Sequence, residues 1–152
     1  MSAYWLIKSE PESYSIDDLK RDKKTPWSGV RNFQARNFMR DQMEIGDLAL
    51  FYHSSVSPPG IAGIAKVASA PYPDPTQFDT KSPYYDPRAS KGNPIWFLVD
   101  FSFVKKFKRL IPLQELKDSK LFADMVVTQK GSRLSIQPVA QKHFGKIVTL
   151  AS

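Results

Sequence analysis

Apolar positions change period several times along the chain, and each change marks an element. Residues 3–8 hold the run Tyr4, Trp5, Leu6 and Ile7, aromatic and β-branched enough to predict a buried strand. Ser15, followed by Asp17, Asp18 and Leu19, predicts a short helix ending near Lys23, with Ser15 as N-cap and acids facing the positive end of the dipole. Asn32 caps a second predicted helix, whose apolar set is Phe33, Phe38 and Met39. Glu44-Ile45-Gly46-Asp47 turns the chain into an apolar strand, Leu48 to His53. Pro58-Pro59-Gly60 then loops into another, Ile61 to Ala70, weakened by Gly63.

Residues 71–94 break the pattern. They hold six of the 12 prolines and read as a long irregular loop, which Tyr72, Phe78, Tyr84 and Tyr85 are expected to pin onto the body. Periodicity returns with Ile95, Phe97, Val99, Phe101 and Phe103, the clearest strand in the chain. Pro112 starts a short helix through Leu116, a second covers Lys120 to Met125, and Arg133 to Gln137 reads as a strand. Ala140, Phe144, Ile147 and Val148 recur at helical spacing and close the chain. About five or six strands with helices between them predict one α+β domain over residues 1–152, built on a small, curled sheet.

Composition narrows the functions open to such a domain. With no Cys and only His53 and His143, a disulfide framework is excluded and no metal site is expected. A hydrophobic fraction of 41% supplies a core, while no apolar run approaches bilayer length and no signal peptide is evident, so an intracellular, soluble protein is expected, cytoplasmic in a bacterial cell and nuclear in a eukaryotic one. The net charge of +7 points to a polyanion, and its distribution sharpens the point. Residues 1–76 hold 9 basic and 9 acidic side chains, whereas residues 77–152 hold 13 and 6. Lys105, Lys106, Lys108 and Arg109 form the densest part of that excess. A solvated face and a phosphate-binding surface explain it equally well.

Few constellations carry chemistry. His53-Ser54-Ser55 has the residue types of a nucleophilic pair, but neighbours on a strand point to opposite faces. Gly60 to Gly63 lacks the spacing and Lys of a phosphate-cradling loop, and no cofactor is expected. Trp27-Ser28-Gly29-Val30-Arg31-Asn32 is richer, for it puts an aromatic, a flexible Gly, a guanidinium and an amide together before a helix. Such a set can stack on a base, hydrogen-bond its edge and contact phosphate, or it can be a core Trp beside a surface charge.

These segments, with Tyr4-Trp5-Leu6-Ile7-Lys8-Ser9-Glu10-Pro11, Phe51-Tyr52-His53-Ser54, Tyr72-Pro73-Asp74-Pro75, Tyr84-Tyr85-Asp86 and Arg133 to Val139, strongly resemble the EVE domain. The resemblance runs in order through essentially the whole chain, and without a long basic extension or a fused nuclease a stand-alone, bacterial-type member is expected. It implies a PUA-like curled mixed β-barrel with surrounding helices, related to the YTH readers. It also implies a non-catalytic module, monomeric and independent of membranes, that reads a modified cytosine or adenine in DNA or RNA. By the same resemblance Ser9, Trp27, Asn32, Tyr52, His53 and Ser54 would form the base pocket. Arg31, Arg36 and Arg133, with Lys105, Lys106 and Lys108, would hold the backbone. Two other readings stay open: an enzyme acting on a modified nucleotide with His53 as acid or base, and an accessory protein whose pocket binds a small ligand.

Overall fold

A computed structural model describes residues 3–131 and 133–152. In chain order its elements are β1 (Tyr4–Ser9), α1 (Ile16–Asp22), β2 (Lys24–Pro26), α2 (Phe33–Asn37), β3 (Leu48–His53), β4 (Gly60–Val67), β5 (Tyr72–Pro73), β6 (Phe97–Leu98), β7 (Asp100–Pro112), α3 (Leu113–Lys117), β8 (Ile136–Val139) and α4 (Gln141–Leu150). Among the described residues, six strands form one mixed sheet in the order β2-β7-β4-β3-β1-β8, and β5 pairs with β6. β1 and β3 run parallel, from Tyr4 opposite Leu48 to Ser9 opposite His53, and the other neighbours are antiparallel. The sheet curls into a half-barrel with helices around it, as the PUA-like resemblance implies. Register irregularities between β4 and β7, beside Gly63, add local twist and bending.

Both faces of the sheet are covered, which explains why β1 and β3 read as unbroken apolar runs. Trp5, Ile7, Ala49 and Phe51 pack on one side with Ile16 and Leu19 of α1 and Ala35 of α2. Leu6, Leu50 and Tyr52 pack on the other with Leu116 of α3 and Phe144 and Ile147 of α4. Asp47, buried at the entrance to β3, accepts hydrogen bonds from the Trp5 indole at 3.0 Å and from the Ala3 and Glu44 N–H groups, and so ties the β1 and β3 starts together.

Local signals account for the helix starts. Ser15 Oγ accepts from the Asp18 N–H and the Asp18 carboxylate accepts from the Ser15 N–H, a complete capping box. Asn32 Oδ1 accepts from the Ala35 N–H at 2.9 Å, and α2 runs on as a π-helical turn over Phe38–Gln42. Several expectations are corrected. The strand predicted around residues 95–103 divides at Val99 and its second part continues to Pro112. Phe107 and Ile111 bury there, while the Lys and Arg residues that masked the pattern lie mostly where β2 no longer covers β7. Residues 120–125 form a short 3-10 turn over Lys120–Phe122 rather than a longer helix. The last strand begins at Ile136, not Arg133, and β2 has no apolar signature at all.

The long loop is fastened by buried polar groups more than by its aromatics. Gln77, fully buried, accepts from the Ile95 and Trp96 N–H groups at 2.9 Å and donates to the Asp74 and Trp96 carbonyls. Asp86 accepts from the Trp96 indole at 2.8 Å. Hydrogen bonds from Arg88, Trp96 and the Arg88 N–H hold its pKa far below the usual carboxylate value. Tyr72 does serve as a pin, donating to Asp100, and burial first, then that carboxylate, pushes its hydroxyl up to about 12. Tyr84 and Tyr85 remain exposed.

Candidate functional site

Beyond the carboxyl end of β1 the chain leaves a cleft of about 470 Å³. Lys8, Ser9 and Glu10 supply one wall, Ser13 and Tyr14 the approach to α1, and Trp27 to Arg31 the opposite wall, with Tyr84 and Ser135 at the rim. Its construction can be followed bond by bond. The Ser9 hydroxyl donates to the Tyr14 carbonyl, and the Ser54 N–H donates to the Ser9 carbonyl at 2.9 Å, so Ser9 fixes the floor. The Tyr14 hydroxyl in turn donates to Asp22 at 2.9 Å.

Asp74 organises the opposite wall from within. Only 1% exposed, it accepts from the Gly29 N–H at 2.8 Å, the Arg31 guanidinium at 3.1 Å, and the Thr76 N–H and hydroxyl. Burial pushes its pKa up, but the hydrogen bonds from Thr76, Gly29 and Arg31 together outweigh burial and leave it lowered, so the carboxylate is charged. Arg31 reaches on to the Tyr84 carbonyl at 2.7 Å and lies over the Tyr84 ring, 5.5 Å from its centre. The Tyr84 ring covers Gly29, where a Cβ would stand 2.7 Å from a ring carbon. Gly29 also has a φ of +86°, so this position requires glycine on two counts.

Trp27 is a wall rather than an open stacking platform. It is 9% exposed, with the Phe51 and Phe101 rings meeting it edge-on at 5.7 and 5.3 Å. Its indole N–H has no hydrogen-bond partner among the described residues and is not sealed from solvent. The Trp5 and Trp96 indoles, by contrast, are bonded to buried carboxylates. An indole N–H is a donor only, suited to a carbonyl oxygen or unprotonated ring nitrogen on a base edge. The hydroxyls of Ser13, Ser28 and Ser135 are likewise without partners among the described residues.

The residues expected in one pocket are divided by the structure. Ser9 and Trp27 line the cleft together with Arg31. Asn32 lies outside the cleft lining, its side-chain oxygen engaged in capping α2. Ser54 supports Ser9 through its backbone, and Tyr52 faces the opposite side of the sheet. His53 Nε2 accepts from the Ile16 N–H at 3.1 Å, and burial first, with Lys106 adding to it against Asp17, lowers its pKa. Its lone pair therefore anchors α1. Of the expected backbone contacts, Arg31 is paired with Asp74, and Arg36 donates to the Ile95 carbonyl while lying over the Phe33 ring. Lys106 is paired with Asp17 at 2.8 Å, whereas Lys105, Lys108 and Arg133 are exposed without ion pairs among the described residues. No group of three His, Asp or Glu suited to a metal occurs among the described residues.

Residues 3–150 match the model of the EVE domain. The chain belongs to the EVE domain family. It is 45% identical to human thymocyte nuclear protein 1 over 99% of the chain and 74% of that protein. A crystal structure of a Pseudomonas putida protein superimposes with a TM-score of 0.95 at 47% identity, covering 99% of this chain and 100% of that one. The crystal structure of the human THYN1 protein in complex with DNA containing 5-methylcytosine superimposes with a TM-score of 0.92 at 44% identity, covering 99% of this chain and 98% of the other. Tyr14, Ser28, Gly29 and Tyr84 line the cleft although they were not among the residues expected to form the pocket. Gly29 and Ser28 stood inside the Trp27 to Asn32 segment, but nothing local could tell that Tyr84 arrives from a loop 53 residues further on to meet Arg31. No helix among the described residues is long and apolar enough to cross a membrane.

Proposed function

We propose that this EVE domain is a non-catalytic reader of a small modification on a nucleic-acid base, and that its ligand is DNA carrying 5-methylcytosine. The observation that carries the reading is the similarity over nearly the whole chain to the human protein whose structure contains such DNA. The cleft's chemistry supports it: Trp27 and Tyr84 offer aromatic surface and a free indole donor, and Ser13, Ser28 and Ser135 offer unspent hydroxyls, in one concavity. A base leaves its stack at a cost of a few kcal/mol, and contacts in the cleft offset that cost. The methyl group, fitted against apolar surface, contributes about 1–3 kcal/mol of preference. Asn32, Tyr52, His53 and Ser54 act behind the cleft by holding its frame. Lys105, Lys108 and Arg133, exposed and without ion pairs among the described residues, attract the phosphate backbone, whereas Lys106 is spent on Asp17.

His53 as a general acid or base fits poorly, since its Nε2 already accepts a backbone hydrogen bond. Fluorescence-anisotropy titrations of matched single-stranded oligonucleotides test the reading. Methylated cytosine is expected to bind about tenfold more tightly than cytosine, and equal affinities would contradict it. An RNA strand of the same sequence, run in parallel, decides whether the sugar matters.

A further inference from the structure

A second cleft, of about 640 Å³, opens at the same end of β1. Successive strand residues face opposite sides, so β1 serves both clefts: Ser9 lines the base cleft, while the Lys8 ammonium lies over Tyr52, 5.7 Å from the ring centre. Lys8 lines both concavities. Around the second cleft stand Tyr52, Leu113, Val127, Lys117 and Lys130, and no carboxylate is among its lining residues. Two of its polar side chains are already committed, the Thr128 hydroxyl donating to the Phe122 carbonyl at 2.8 Å and the Gln129 amide to the Ala123 carbonyl, while the Tyr52 hydroxyl has no partner among the described residues. Lys8, Lys117 and Lys130 have no ion-pair partner among the described residues, whereas Arg109 of β7 is paired twice with Glu115 at 2.8 Å. Three unneutralised ammonium groups around one open concavity repel one another. An arriving anion relieves that repulsion.

We infer that this second cleft is the track for the phosphodiester backbone flanking the inspected base, with Lys8 at the junction. The inference rests on the reading that the first cleft takes the base. Continuity favours a strand over a small free anion, because Lys8 lines both clefts, so that a chain whose base enters at Ser9 and Trp27 can carry its phosphates past it into the second. Burial holds the Lys8 pKa below its ordinary value, which a phosphate beside it would restore. The track also assigns a role to Lys117 and Lys130, which lie outside the β7 lysines.

The test uses the full chain, its K117Q/K130Q double variant, and single-stranded DNA bearing one 5-methylcytosine. Both lysines are exposed, so the variant is expected to fold normally, which its circular dichroism and unfolding midpoint check. Each phosphate contact to a single strand contributes about 0.7 to the slope of log affinity against log salt. The double variant is therefore expected to lower that slope by about 1.4 and to leave the ratio between methylated and unmethylated DNA unchanged. Neutral methylphosphonate linkages on either side of the modified base should weaken the native chain several-fold and the variant much less. An unchanged slope in the variant, with the native preference for methylation intact, overturns the track and spares the base reading. A reduced slope with no preference in the native chain supports the track and overturns the base reading, and no binding by the native chain overturns both.

Discussion

The two clefts that meet at Lys8 are built from different materials. On the Trp27 side the nearest cation is spent: Arg31 is bound to a buried carboxylate, a hydroxyl and a carbonyl, and what remains for a ligand is an indole N–H, serine hydroxyls and aromatic surface. On the Tyr52 side the Thr128 hydroxyl and the Gln129 amide are spent, and three cations remain beside the Tyr52 hydroxyl. Neutral donors at fixed positions discriminate between bases, because they reward one arrangement of acceptors. Unpaired ammonium groups on flexible stems attract any phosphate. In the proposed function this contrast gives choice to one cleft and grip to the other. It also extends the grip beyond Lys105, Lys108 and Arg133: a basic residue close to a proposed site is useful to a ligand only if the protein has not already paired it.

Breaking the choosing side should have the largest effect. Trp27→Ala removes a nearly buried indole from between Phe51 and Phe101 and is expected to destabilise the fold by about 3–5 kcal/mol in urea unfolding. Any variant that still folds should lose methyl preference but keep its salt-dependent binding. Asp74→Ala should cost about 3 kcal/mol, because it leaves the Gly29 N–H and Arg31 without their acceptor. Loosened from Asp74, the loop carrying Tyr84 should become a site of early proteolysis.

A subtler change tests His53. Its folded pKa lies below the unfolded value near 6.5, so the unfolded state takes up protons first as pH falls. The His53 contribution is fully present above that value and is lost as pH drops through the lowered folded pKa. Unfolding midpoints measured between pH 7.5 and 5 should fall for this reason, and His53→Gln should flatten that portion of the curve. The smallest effect belongs to the gripping side, where K117Q/K130Q should shift stability by no more than about 0.5 kcal/mol. A larger loss would mean that those lysines support the fold.

Much of the fold was legible because its signals are local. The Ser15 capping box, the Asn32 cap and the apolar runs of β1 and β3 each announce an element within a few residues. β2 escaped because Lys24, Thr25 and Pro26 pair only at the edge of β7, and the lower half of β7 escaped because its charged residues face solvent. The site divided in the same way. The Trp27 to Arg31 wall is contiguous in sequence, whereas Asp74 and Tyr84 reach it through long-range contacts. Asn32 and His53 have the residue types of ligand contacts, but Asn32 Oδ1 caps α2 three residues on, and His53 Nε2 accepts from the Ile16 N–H, 37 residues away in sequence.

The central claim is that a modified base enters the cleft beside the free indole of Trp27. Proton–nitrogen correlation spectra resolve the three indole N–H signals, those of Trp5 and Trp96 being held by Asp47 and Asp86. Adding a 5-methylcytosine oligonucleotide should move the Trp27 signal to a saturating new position while the other two stay nearly fixed. A Trp27 signal that does not respond at a concentration where anisotropy shows complete binding would contradict the account.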